Sequence, residues 1–345
     1  MRPQHLGVAA CALIAVGSFG AGATRYRGGL LRAAGLEHLS YGHGRALMDV
    51  LLTAGIFGLV VAWVLLWKTR PGLAQVRRSV CWWAGVLALA APILSRDVYS
   101  YLMQGAMLRD GFDPYSEGAA VNPGPYLWEV SHDWRNTTTP YGPLHLGVGK
   151  AVTWLVGENV TLGLVVYRLI SLAGFALIVW ALPRIAEQIG GDPALALWLG
   201  AANPVMLLHL IGGMHNEAVM VGLVSVGLLW CLRSRWCTPG IALIALAVSL
   251  KATAAVALPF VVWLMVKRRS TTTLGAAGML VACGAWALAV NVAVIQLVTW
   301  ASGTTWGWLE EITGNSKVIN PLAGPTLAAE LITPVLQLFD DTFRY

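Results

Sequence analysis

The sequence predicts an all-α, polytopic integral membrane protein forming a single domain over residues 1–345. Three observations predict it. Hydrophobic residues make up 57% of the chain and charged residues 12%, about half the share of a soluble domain, and mean hydropathy is +0.65. Apolar runs of crossing length recur near 6–24, 46–67, 80–94, 162–182, 194–211, 218–232 and 274–300. Short clusters of Lys and Arg separate them, as in cytoplasmic loops. The composition excludes disorder. The net charge of +6 raises a nucleic-acid partner, but the basic residues are dispersed between apolar runs without a binding motif, so none is expected.

The first run follows Met1-Arg2 and ends in Gly20-Ala21-Gly22-Ala23, which also resembles a signal peptide with a small-residue cleavage site. Residues 25 to 45 face outside either way. They hold four Arg, as many basic residues as the next loop, so the first hairpin does not orient the protein. The later loops do, with Lys68 to Arg78, Arg184 to Asp192 and Lys267 to Arg269 inside.

The stretch 239–266 carries Lys251 at its centre. As one crossing it would separate Arg233-Ser234-Arg235 from Lys267-Arg268-Arg269 and leave an ammonium at mid-bilayer, costing about 2.5 to 3.5 kcal/mol or more. Two short helices, 239–250 and 253–266, put both clusters inside and Lys251 at an outer tip, for about 9–10 transmembrane helices in all. Cys11, Cys81, Cys231, Cys237 and Cys283 lie in or beside apolar segments without zinc-ligand spacing and read as small packing residues.

Residues 95–160 form the longest connection, where function is expected. Val98 to Leu108 is amphipathic and Leu144 to Val156 apolar but short; both are expected to lie along the membrane surface. Asp97 directly follows an apolar run. It can be a solvated cap or a partner of Arg96. Two other outer tips are also polar, His215-Asn216-Glu217 after Gly212-Gly213, and Lys251. An acid, a His-Asn-Glu turn and a lysine from three hairpins then meet where a lipid-linked anion would present its headgroup. His215 can equally cap a tight turn, and Glu217 can be a first-turn acid favoured by the helix dipole. Asp113-Pro114-Tyr115 is turn chemistry as it stands. Trp300, Trp306 and Trp308 read as an interfacial belt, with sugar stacking as a second use.

Ser95-Arg96-Asp97-Val98-Tyr99-Ser100-Tyr101, Gly111-Phe112-Asp113-Pro114-Tyr115, Pro140-Tyr141-Gly142-Pro143-Leu144 and Gly212-Gly213-Met214-His215-Asn216-Glu217-Ala218 occur in that order. Over roughly residues 46 to 320 the chain thereby resembles the actinobacterial polyprenol-phosphate-mannose-dependent α-1,6-mannosyltransferases of lipomannan assembly, which have the GT-C glycosyltransferase fold. The family continues through further crossings beyond the position of Tyr345.

The resemblance implies a cell-membrane enzyme with its active site on the outer face, a polyprenyl-phosphate-mannose donor, a mannan or glycolipid acceptor, and inversion in one displacement. The leaving phosphate needs no general acid, unlike the two-carboxylate glycosidases. One carboxylate must take the acceptor proton, and cationic or donor groups must hold the phosphate. The matching base is Asp97. Lys251, Arg96 and His215 would hold phosphate, and Tyr99, Asp113, Tyr115, Tyr141, Asn216 and Glu217 would line the substrate site. No cofactor or metal is expected. Two rivals remain, a secondary transporter of a lipid-linked or anionic solute, favoured if Lys251 sits at mid-membrane, and a non-catalytic assembly partner.

Overall fold

A computed structural model describes residues 2–233, 237–314 and 324–338. Ser234 and Arg235 of the expected basic cluster lie outside the described residues. Regular structure among the described residues is helical throughout, with no strand. In chain order the main helices are α1 (Pro3–Ala21), α2 (Gly42–Lys68), α3 (Leu73–Leu87), α4 (Asp97–Arg109), α5 (Pro143–Val156), α6 (Val160–Gln188), α7 (Pro193–Gly200, continued by Pro204–Gly212), α8 (Glu217–Arg233), α9 (Thr238–Leu250), α10 (Leu258–Arg269) and α11 (Thr273–Ser302).

Helices α1, α2, α6 and α11 are each long and apolar enough to cross a bilayer, and α7 makes a fifth such element if its two pieces are one span. Those pieces bend by 50° at Asn203-Pro204. Proline has no N–H to continue the ladder, and the Asn203 side chain caps the restarted helix by accepting from the Val205 N–H at 2.9 Å. Helices α3, α8, α9 and α10 have 12 to 17 residues. On α2 and α11, Val50, Phe57, Leu288 and Leu297 point outward, an arrangement that lipid solvates and water does not. The chain is a multi-pass membrane protein. Small residues let its helices approach closely, as where α2 Gly55 faces α1 Ile14 and α1 Gly17 faces α2 Leu52.

Between α9 and α10 the chain turns back. At one end of α8 Glu217 pairs with Lys251. At its other end the Arg268 guanidinium donates to the carbonyls of Cys231 (2.6 Å) and Leu232 (2.7 Å). The helix from Glu217 to Arg233 has 17 residues, a span of about 24 Å at 1.5 Å per residue. Residues 251 to 268 therefore retrace the length of α8. Arg233 and Lys267 to Arg269 share one end, and Lys251 stands at the turn of the opposite end, with extended backbone (φ −152°, ψ 125°) that ends α9.

Helix α4 departs from expectation. Its amphipathic pattern predicts a half-exposed helix on the membrane surface, yet Val98, Tyr99, Tyr101, Leu102, Met103, Ala106 and Met107 are all buried. Ala119, Tyr126 and Val130 cover one side. On another side α5 crosses so closely that a Cβ on Gly105 would stand 2.2 Å from the Gly149 carbonyl carbon. Trp300 is exposed as an interfacial residue would be, whereas Trp308 is buried against the α9–α11 core and does not belong to a belt. Cys11, Cys231, Cys237 and Cys283 are buried packing residues; Cys81 is exposed.

Candidate active site

Two unwound stretches carry the site. Between α3 and α4, Leu94 takes a left-handed backbone (φ 64°); between α7 and α8, Met214 does the same (φ 55°). Such conformations cost roughly 1–3 kcal/mol each for residues other than glycine and persist only where the surroundings fix them. Here the fixing group is Arg168 on α6. Its guanidinium donates to the carbonyls of Ala90 (2.7 Å), Ile211 and Gly212 (3.4 Å), and Ser171 Oγ donates to the Leu210 carbonyl (2.7 Å). The Ile93 N–H donates to the Gly212 carbonyl at 3.2 Å, joining the two stretches directly. Backbone groups that lose helical partners inside a membrane protein must be satisfied in this way. Residues Leu207–Gly212 form a π-helical turn, a distortion frequent at functional sites.

With the backbone so held, Asp97, His215, Glu217 and Lys251 form a row. His215 Nδ1 lies 3.4 Å from Asp97 Oδ2 and 3.8 Å from Glu217 Oε2. Glu217 Oε1 accepts from the Lys251 ammonium, which stands 5.4 Å from the centre of the Tyr141 ring. The four side chains are 17–32% exposed, open enough to meet a ligand and sheltered enough for their charges to count. His215 Nε2 and Asn216 Oδ1 are buried without a hydrogen-bond partner among the described residues. Buried polar atoms are normally satisfied, so both are exceptions to the rule.

Behind the row lies an aromatic wall. Tyr141 packs on His145 (ring centres 4.4 Å) and edge-on to Tyr101 (5.5 Å). His145 is fully enclosed; its Nε2 donates to Gln104 Oε1 (3.2 Å), and its Nδ1 accepts from Asn216 Nδ2 (3.1 Å). Burial, with the Lys251 charge adding, pushes its pKa down to about 3, so it is neutral and orients Asn216 without adding charge.

The structure thus brings together Asp97, Tyr141, His215, Asn216, Glu217 and Lys251. It does not bring in Arg96, expected as a phosphate ligand. The Arg96 guanidinium donates to the Glu129 carbonyl (3.0 and 2.8 Å), Glu129 Oε2 (3.2 Å) and the Thr24 carbonyl (2.6 Å), and stacks over Tyr26 at 3.7 Å. Glu129 itself is 1% exposed and also accepts from Arg25 Nε (3.3 Å) and the N–H groups of Tyr26 (2.7 Å) and Arg27 (3.2 Å). Arg96 is a tie between the first linker and the 95–160 segment. Tyr99 belongs to the same tie, donating to the Ala23 carbonyl at 2.7 Å. Asp113 closes its own turn, with Oδ1 accepting from the Tyr115 N–H at 3.0 Å. Tyr115 is buried against Gly307 and Trp308.

Arg168, His145 and Gln104 were not among the expected residues. Arg168 had a signal, since an ionisable residue inside an apolar run of crossing length marks a site by default. Gln104 and His145 had none, because only the crossing of α4 and α5 makes them neighbours.

Fold and site together define a polytopic membrane protein with an acid–imidazole–acid–ammonium row at one end of its helices. Residues 4–267 match the family model described as alpha-(1->6)-mannopyranosyltransferase, N-terminal domain, and the chain belongs to that family. It is 53% identical to alpha-(1->6)-mannopyranosyltransferase A of Corynebacterium glutamicum, with 96% of this chain aligned to 72% of the relative. It is 41% identical to alpha-(1->6)-mannopyranosyltransferase A of Mycobacterium tuberculosis (96% and 65%), and 28% identical to alpha-(1->6)-mannopyranosyltransferase B of Corynebacterium glutamicum (88% and 55%). The chain therefore spans roughly half to three quarters of the length of these relatives. No solved structure matches it.

Proposed function

We propose that the protein is a GT-C-like α-1,6-mannosyltransferase that moves mannose from a polyprenyl-phosphate donor to a mannan-type acceptor at the outer face of the cell membrane. The observation that carries this reading is the convergence of Asp97, His215, Glu217 and Lys251 at one end of the bundle, from three separate connections. In one displacement the acceptor 6-hydroxyl oxygen attacks the anomeric carbon as the bond to the phosphate oxygen breaks. Asp97 takes the hydroxyl proton, and the bonding pair leaves on polyprenyl phosphate. An α product by inversion requires a β-linked donor sugar. Lys251 and His215 hold the phosphate as charge grows on it. The Tyr141 wall and Asn216, aligned by His145, position the sugars. A transporter would place its ionisable groups at mid-membrane, whereas Lys251 stands at a hairpin turn.

Incubation of the purified chain with polyprenyl-phosphate-mannose and a short α-mannoside, followed by linkage analysis, tests the activity. A new α-1,6 bond is expected; no transfer, or another linkage, overturns the reading.

Lys251→Met is expected to weaken donor binding by roughly tenfold, since a hydrogen bond to a charged group contributes about 1.5–3 kcal/mol and a decade is 1.4 kcal/mol. Lys251→Arg should recover part of it, because a planar fork replaces a compact ammonium. Equal donor affinity in Lys251→Met and wild type would confine Lys251 to its ion pair with Glu217. For topology, with the native cysteines replaced, Thr253→Cys beside the Lys251 turn should react with an impermeant thiol reagent added outside. Thr271→Cys, beyond the basic cluster, should react only after permeabilisation; the opposite pattern inverts the assigned face.

A further inference from the structure

Beside the acid–ammonium row a cavity of about 460 Å³ opens between the first linker, the unwound stretch 88–92 and one face of α6. Its long wall is apolar, made by Leu164, Val165, Leu169 and Leu172 of α6 with Phe19 opposite. The lining on α6 runs from Thr161 to Leu172, about 16 Å along the helix axis. Val165 is 50% and Leu169 61% exposed, so none of the described residues covers this wall.

The cavity is also cationic. Arg25, Arg32 and Arg168 line it with Glu37; Arg25 is paired with Glu129 and Arg32 stands 3.8 Å from Glu37, which leaves Arg168 as the uncompensated charge among these three. Arg168 is 7% exposed, and the partners of its guanidinium are backbone carbonyls, with no carboxylate among the described residues. A buried charge without a counter-charge is costly, and an anion brought beside it relieves that cost. Tyr99 and Met214 close the inner end. Asp97 and His215 lie two residues and one residue away along the same segments.

A narrow apolar trough open to lipid, with the Arg168 guanidinium near the end where Met214 precedes the His215 turn, matches an anionic single-chain amphiphile. We infer that this cavity seats the isoprenoid chain of the polyprenyl-phosphate donor, with the phosphate beyond its inner end at the His215 turn, where Lys251 and His215 hold it and Arg168 adds positive charge behind the turn. The assignment rests on the donor reading above and adds where the lipid lies. In this arrangement the chain runs down the α6 face towards Met214, whose neighbour His215 stands 3.4 Å from Asp97.

The test uses the full chain in phosphatidylcholine nanodiscs and a polyprenyl monophosphate bearing a diazirine near the middle of its chain. Light should cross-link it to residues within 161–172 or 88–92, mapped by peptide mass spectrometry. Unlabelled polyprenyl monophosphate should compete; phosphatidylglycerol at the same concentration should not. Equal competition by phosphatidylglycerol would make the cavity an ordinary lipid seat, and cross-linking confined to other helices would empty it of its assigned occupant. Leu169→Trp, which fills the trough, should lower the ratio of kcat/KM for a long-chain donor over a geranyl-phosphate donor by about tenfold. Val165→Trp provides the same measurement if Leu169→Trp does not fold, and an unaltered ratio in a folded variant overturns the inference. Cross-linking in the cavity by a protein that transfers no mannose would refute the enzymatic reading while sustaining the lipid seat. Transfer with cross-linking elsewhere would do the reverse.

Discussion

Asp97→Asn is expected to reduce mannose transfer by about 10²- to 10⁴-fold, the range for a general base, while donor binding stays near the wild-type value. The amide keeps the shape of the carboxylate but cannot take the acceptor proton. Asp97 sits at the first turn of α4, its N–H donating to Ser95 Oγ at 3.0 Å and its carboxylate 3.4 Å from His215. Neither contact supports the fold elsewhere, so the variant should express and bind like the parent. Activity above about a tenth of wild type would move the proton acceptor to Glu217, whose Oε2 lies 3.8 Å from the same imidazole nitrogen. Asp110 and Asp113 are poorer substitutes. The Arg109 guanidinium holds the Asp110 carboxyl below its usual range, and Asp113 is committed to its own turn.

Glu129→Ala carries the second large effect, on stability. The carboxylate is the single anion to which Arg25, Arg96 and two linker N–H groups converge. Its removal leaves two guanidinium groups, 22% and 16% exposed, short of their counter-charge. Breaking a buried pair on one side costs about 3–5 kcal/mol, and the lower end applies because both arginines retain some contact with solvent. The expected result is a clear fall in the thermal unfolding midpoint in detergent and new proteolytic cleavage between residues 25 and 45. Replacing Glu129 and Arg96 together with leucine should cost less than Glu129→Ala, since that exchange strands less charge. A midpoint within error of wild type would show that the tie is redundant.

These two residues mark what the sequence displays and what it hides. Asp97 is legible because an acid directly after an apolar run is unusual, and its motif neighbours repeat a family order. The hairpin at Lys251 is legible because the positive-inside tendency applies on both sides of it. Arg96 misleads. A sequence displays its charge but not the carboxylate that consumes it, and Glu129 lies 33 positions away. The same limit hides the burial of α4, whose pattern is that of a half-exposed helix while its cover comes from residues 119–130 and from α5. His145 gains its meaning from Asn216, 71 positions on, and no local rule reaches that far. Local chemistry thus places the polar groups on the chain, and long-range packing decides which of them remain available to a substrate.

The contact between Gly105 and Gly149 also decides which side of the site can yield. With no side chains between them, α4 and α5 meet backbone to backbone, so Asp97 at the head of one helix and His145 on the other belong to one stiff plate. Accommodation of a longer or bulkier acceptor must therefore occur on the facing side, where His215 and Glu217 follow a strained turn and Lys251 tops a hairpin. Acceptor preference among relatives should accordingly track residues 213–217 and 249–253.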